Sequence, residues 1–154
     1  QIPQPIAWLI TRYPFLRRHP HPMTVHFPIV FMLSNTVFNL LYLITGQKSF
    51  EITALHCLGA GIIFIFVAIT TGIYTWWLNY WAKMLRPVKI KMPLSLIMLA
   101  TAVIIFIWRI AVPDILINFT GLSNIYLLLV LSLALMVTII GWYGASMTFP
   151  VEKD

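Results

Sequence analysis

The chain has 154 residues, 60% of them hydrophobic and 9% charged, with ten Lys and Arg against four Asp and Glu for a formal net charge of +6. A soluble domain carries about a quarter charged residues, so a soluble four-helix bundle is excluded and a single membrane domain is expected. Cys57 is the only cysteine, which excludes an internal disulfide, a Cys-rich iron–sulfur site and covalent haem attachment through Cys-x-x-Cys-His.

Residues 1–22 form an arm that mixes Ile6, Trp8, Leu9, Ile10, Tyr13, Phe15 and Leu16 with Arg12, Arg17, Arg18 and repeated prolines. The arm is too interrupted to span, and is expected to lie along the cytoplasmic interface with its rings at headgroup depth and its arginines outward. It does not read as a signal peptide, because the positive charges follow the apolar stretch rather than precede it.

Residues 23–147 hold four apolar blocks, 25–45, 53–81, 94–112 and 125–144. Each reaches or approaches the ~20 residues that cross a ~30 Å hydrocarbon core. The expected fold is all-α: an integral membrane four-helix up-down bundle with the interfacial arm at one end and a short cytoplasmic tail over 148–154.

The first helix is expected to open near Thr24 and to end at Gly46. Pro28 sits near its start and leaves a carbonyl close to Thr24 without a donor, which a membrane tolerates only beside protein, water or a ligand. Asn35 and Asn39 are polar at membrane depth, and Asn35 lies about 180° round the helix from His26, so the two serve different faces. The asparagines are expected to bond neighbouring helices. In the second helix His56, Gly59, Ile63, Thr70, Tyr74, Trp77 and Trp81 fall within about 60° on a helical wheel, a stripe expected to face protein. Trp76, Trp77, Tyr80 and Trp81 anchor its cytoplasmic end. The third helix is expected after Pro93. It carries Arg109 near its outer end, facing protein, a bound group or the interface rather than lipid, with Asp114 the nearest charge in sequence. The fourth is expected to start around Ser123 and to end in the small-residue run Gly141 to Ser146.

Charge fixes the orientation. Arg12, Arg17 and Arg18 precede the first helix, Lys83, Arg86, Lys89 and Lys91 fill the second loop, and Lys153 follows the last helix; Lys48 and Arg109 alone fall on the other side. Basic residues in short loops mark the cytoplasmic face, so both termini are expected inside. That face suits anionic headgroups or an acidic partner rather than nucleic acid. No phosphate loop, nucleophile elbow, zinc-protease helix or paired-carboxylate site is present, so the chain is not expected to catalyse a reaction alone.

The segment His21-Pro22-Met23-Thr24-Val25-His26-Phe27-Pro28-Ile29 resembles the His-Pro-x-x-Val-His-Phe-Pro-Ile signature of a prokaryotic membrane family, domain of unknown function 2231. The resemblance continues through Thr71-Gly72, Arg109 and Gly141-Trp142-x-Gly144. It implies a four-helix protein of the inner membrane without an assigned enzymatic activity, with some relatives in redox systems. Many relatives carry a histidine at the start of the third helix, where this chain places Lys91.

Histidine is the pattern's chemical clue, since neutral imidazoles ligate b-type haem and basic residues pair with its propionates. The bland alternative is that His19, His21 and His26 bond backbone groups freed by Pro22 and Pro28. His26 is a candidate axial ligand. His56 is a candidate for a second haem with Arg109 near its propionates, because antiparallel helices keep it far from His26. A second reading needs no metal: His21, His26, Lys91, Trp77 and Trp81 form an interfacial quinone pocket. The expectation is a small membrane subunit of an electron-transfer complex that holds b-type haem or quinone and anchors partner redox subunits. The alternative is a cofactor-free structural membrane subunit, whose histidines and asparagines only satisfy helix contacts.

Overall fold

The computed structural model describes residues 2–15, 20–117 and 120–148, with the side chains of 147 and 148 undescribed. Arg17, Arg18, His19 and Lys153 therefore lie outside the described residues. Within them the chain is helical: α1 (Gln4–Arg12), α2 (Pro20–Thr24), α3 (His26–Thr45), α4 (Lys48–Tyr80), α5 (Arg86–Ala111) and α6 (Gly121–Thr148). Four segments are long and apolar enough to cross a membrane: Pro20–Thr45, Lys48–Tyr80, Arg86–Ala111 and Gly121–Ser146. The protein is a four-span helical membrane protein.

Each break in the chain has a local cause. Between α2 and α3 the helix is interrupted at Val25, whose turn precedes Pro28; a proline nitrogen cannot donate to the Thr24 carbonyl four residues back. α3 ends where Gly46 turns left-handed at φ 69° and donates to the Tyr42 carbonyl. α4 ends without a glycine. Trp81 and Ala82 take φ of 52° and 55°, Ala82 N–H reaches the Trp76 carbonyl at 3.3 Å, and the Trp76 indole donates to the Lys83 carbonyl at 2.8 Å. Two non-glycine residues in the left-handed region are thus held by a cross-turn backbone bond and a side-chain clasp.

The third span begins earlier than the sequence suggests. α5 starts at Arg86 with Pro87 in its first turn, and Pro93 lies inside the helix. Proline fits the first turn because its missing N–H has no intrahelical partner there. The second proline costs one bond to the Lys89 carbonyl, close to the helix start where water and headgroups can serve that carbonyl. Lys89 and Lys91 consequently sit on the helix rather than in a loop.

α3 packs against α4 and α6, α5 packs against the same two, and the diagonal pairs do not meet, so the spans form a square bundle. Apart from Thr36 and Leu78, the buried positions follow a three-then-four spacing in every span: Pro28, Met32, Asn35 and Asn39 in α3; Glu51, Ala54, Leu58, Gly61, Ile65 and Ala68 in α4; Met98, Ala102, Ile105 and Arg109 in α5; Ser123, Tyr126, Val130, Leu133 and Val137 in α6. That 3.5-residue repeat belongs to helices wound with a slight left-handed supercoil. In α4, Ala54, Gly61 and Ala68 recur every seventh residue and bring the backbones together, as small residues do in lipid. The Met32 methyl occupies the space a Cβ would need at Gly61.

This seam corrects the stripe expected on the second helix. His56, Ile63, Thr70, Trp77 and Trp81 are exposed and point away from the bundle, while the small-residue seam faces inward. Close packing selects size, whereas the sequence stripe selected polarity and aromaticity. The asparagines also behave differently from expectation: Asn39 Nδ2 donates to the carbonyl and side-chain oxygen of Asn35 within α3, at 2.8 and 3.1 Å. The interhelical bond is made instead by Thr36, whose hydroxyl reaches the Val130 carbonyl at 3.2 Å. Asn35 is fully buried and His26 exposed, as their opposite positions on the helix require.

Candidate functional site

Polar groups gather at the two ends of the bundle. Lys91 and Arg109 are separated by five full turns of α5, so both project from one face about 27 Å apart, close to the thickness of a hydrocarbon core. The residues around each differ in kind.

At one end Arg109 donates through Nη2 to Glu51 Oε1, forming the only salt bridge among the described residues. Both side chains are buried, and Tyr126 of α6 lies close enough to feel both charges while its ring meets Trp108 edge-on at 6.1 Å. Arg109 therefore faces protein, as expected, but its partner is Glu51 in the first turn of α4 rather than Asp114. The pairing was legible in outline: antiparallel helices bring the one acid beginning a span beside the one base ending the next. The arrangement does chemistry of a structural kind, since an ion pair out of water holds two helices in one register.

At the opposite end all four spans contribute. The half-buried imidazole of His21 (α2) lies with Nδ1 3.4 Å from Thr71 Oγ1 (α4). Thr24 Oγ1 is 2.8 Å from the same hydroxyl, and Thr71 Oγ1 reaches the Val67 and Ala68 carbonyls at 3.0 and 3.2 Å. The ring edge covers Gly72: a Cβ there would meet His21 Cε1 at 3.0 Å, tighter than almost any real contact. Lys91 (α5) is half-buried, interacts electrostatically with His21, and holds Nζ 3.3 Å from where a Cβ of Gly144 (α6) would stand. Two glycines thus give an imidazole and an amino group room to lie against helix backbones. Nearby, Ile29 covers Gly141.

These are the same short stretches that stand out in the sequence: His21 to Ile29, Thr71-Gly72, and Gly141 to Gly144, with Lys91 between. Far apart in the chain, they meet at one level of the bundle. The chain belongs to the family described as "Predicted membrane protein (DUF2231)". The family's model matches residues 18–152, covering all four spans. No curated protein and no solved structure matches the chain. Membership in DUF2231 carries the membrane architecture; the chemistry must be argued from the side chains.

The remaining candidate residues are dispersed. His26 is exposed at the start of α3, five residues from His21 but outside its cluster. His56 is exposed on α4, about 140° round the helix from Glu51, so it does not join Arg109. His26 and His56 stand near opposite ends of the bundle, and among the described residues no three His, Cys, Asp or Glu side chains converge. One haem therefore does not take both His26 and His56 as its axial ligands. Trp77 and Trp81 line a hollow of about 130 Å³ with Ile2, Leu78 and Ala82, where the arm folds back on the end of α4. His21 and Lys91 do not line that hollow, so the five residues expected to form a quinone pocket do not converge: His26 and the two tryptophans stand apart from His21 and Lys91. Sequence reasoning left Thr24 and Thr71 without a role. Their signal is position: each stands within three residues of a singled-out His or beside a singled-out Gly.

Proposed function

We propose that this chain is a small subunit of an electron-transfer assembly in the prokaryotic inner membrane, with both termini cytoplasmic, binding a quinone head at the His21–Thr24–Thr71–Lys91 cluster. The observation that supports this reading is the convergence of an imidazole, two hydroxyls and an amino group at one hydrocarbon boundary, in a protein whose other buried ionic group is already paired. A quinone's oxygens need polar partners at that depth while its tail stays in lipid. The basic residues Lys83, Arg86 and Lys89, at and just before the start of α5, give partner redox subunits a docking surface on the same side. The chain anchors and positions; substrate chemistry belongs to its partners.

The test is extraction of quinone from protein purified in native-lipid discs, together with absorption spectra of its oxidised and reduced states. Bound quinone near one per chain, without haem bands, is the expected result. Haem bands would show that a partner or a second copy supplies an axial ligand. Neither quinone nor haem would leave the cofactor-free structural subunit as the reading.

A further inference from the structure

The hydrogen-bond directions around His21 define what its free nitrogen can recognise. Thr71 has one hydroxyl proton, and the Val67 and Ala68 carbonyls at 3.0 and 3.2 Å both lie in position to take it. A carbonyl only accepts, so this proton points away from the imidazole. The Thr24 hydroxyl has two acceptors in reach, Thr71 Oγ1 at 2.8 Å and the His21 carbonyl at 3.1 Å, and either choice leaves Thr71 Oγ1 without a second proton to give. A lone pair of Thr71 Oγ1 remains, facing His21 Nδ1 at 3.4 Å. Thr71 therefore asks for a proton on Nδ1.

From this geometry we infer that His21 is held as the Nδ1–H tautomer and presents its Nε2 lone pair, at the end of the bundle where Lys91 Nζ lies against Gly144, to a ligand oxygen that carries a hydrogen. A neutral imidazole with Nδ1 protonated has an acceptor, not a donor, at Nε2. A hydroxyl suits the pair because it donates to Nε2 and accepts from Nζ, whereas a bare carbonyl oxygen would set lone pair against lone pair. Resting on the quinone reading, the inference names the form bound: the dihydroxy quinol in preference to the quinone. Gly72 contributes by letting the ring edge lie close against α4, since a Cβ there would stand 3.0 Å from His21 Cε1 and force the ring to shift.

Two measurements separate this inference from the reading beneath it. Solid-state ¹⁵N spectra of histidine-labelled protein in lipid vesicles, with His21 assigned by its loss in a His21→Asn variant, report the tautomer directly. A neutral ring with protonated Nδ1 and bare Nε2 is expected; a protonated Nε2, in either the other tautomer or the imidazolium, overturns the inference and leaves quinone binding standing. Titration with decylubiquinol and decylubiquinone, followed by tryptophan fluorescence, reads the preference. Leaving Nε2 without a donor costs enough that the reduced form should bind about tenfold tighter or more. His21→Asn keeps a donor near the Nδ1 position and should abolish that preference. Equal binding of the two forms by the wild type overturns the quinol claim alone, while binding of neither overturns the quinone reading as well.

Discussion

His21 and His26 stand five residues apart, yet one is packed against Gly72 and Thr71 and the other is exposed. Substituting His26 by Ala should leave quinone content and thermal stability unchanged, because the side chain makes no contact that holds the bundle. Gly72→Ala should act strongly, since the new methyl would stand 3.0 Å from His21 Cε1 and the ring must move off Thr71. Quinone retention after detergent exchange should fall in Gly72→Ala and in His21→Ala and hold in His26→Ala; the reverse order would place the site at His26. The sequence names His26 as a candidate axial ligand and joins His21 to it in the quinone reading. Depth along a helix is legible in sequence, but which neighbour an imidazole meets depends on the rotation of that helix about its axis.

At the scale of helices, the Glu51–Arg109 pair joins α4 to α5 and is buried at both ends. Removing one member leaves the other charged and unpaired, so Arg109→Leu should cost about 3–5 kcal/mol of stability, and joint replacement of Glu51 and Arg109 by Leu should restore most of it. Unfolding in mixed micelles measures both; a double variant no more stable than the single one would assign the loss to something other than the pair. Gly61 offers a second test of packing. A methyl there collides with the fully buried Met32, and Gly61→Ala should destabilise by about 1–3 kcal/mol, relieved when Met32 is shortened to Ala. The spans were legible in sequence because lipid demands an apolar block of fixed length. Their inward faces were not, because lipid and protein interior are both apolar and polarity no longer separates the two sides of a helix. The informative signal was size, in the sevenfold spacing of Ala54, Gly61 and Ala68.

Across the whole molecule, α5 carries Lys91 at one boundary and Arg109 at the other, and the basic residues from Lys83 to Lys89 lie beyond Lys91. By the positive-inside rule, the proposed orientation puts the Lys91 end in the cytoplasm. A cysteine placed at Arg86, in a chain whose Cys57 is replaced by Ala, should react with a membrane-impermeant reagent only after the cells are opened; labelling in intact cells would reverse the orientation. The account assigns different work to the two ends, with Glu51–Arg109 holding the bundle and His21–Lys91 holding a ligand. The most direct measurement of that division is bound quinone and melting temperature, read side by side in lipid discs for wild type, Lys91→Met and the Glu51→Leu/Arg109→Leu double variant. The account predicts that Lys91→Met loses its quinone and keeps its melting temperature, while the double variant keeps its quinone. Full quinone retention in Lys91→Met, or its loss only in the double variant, would contradict it.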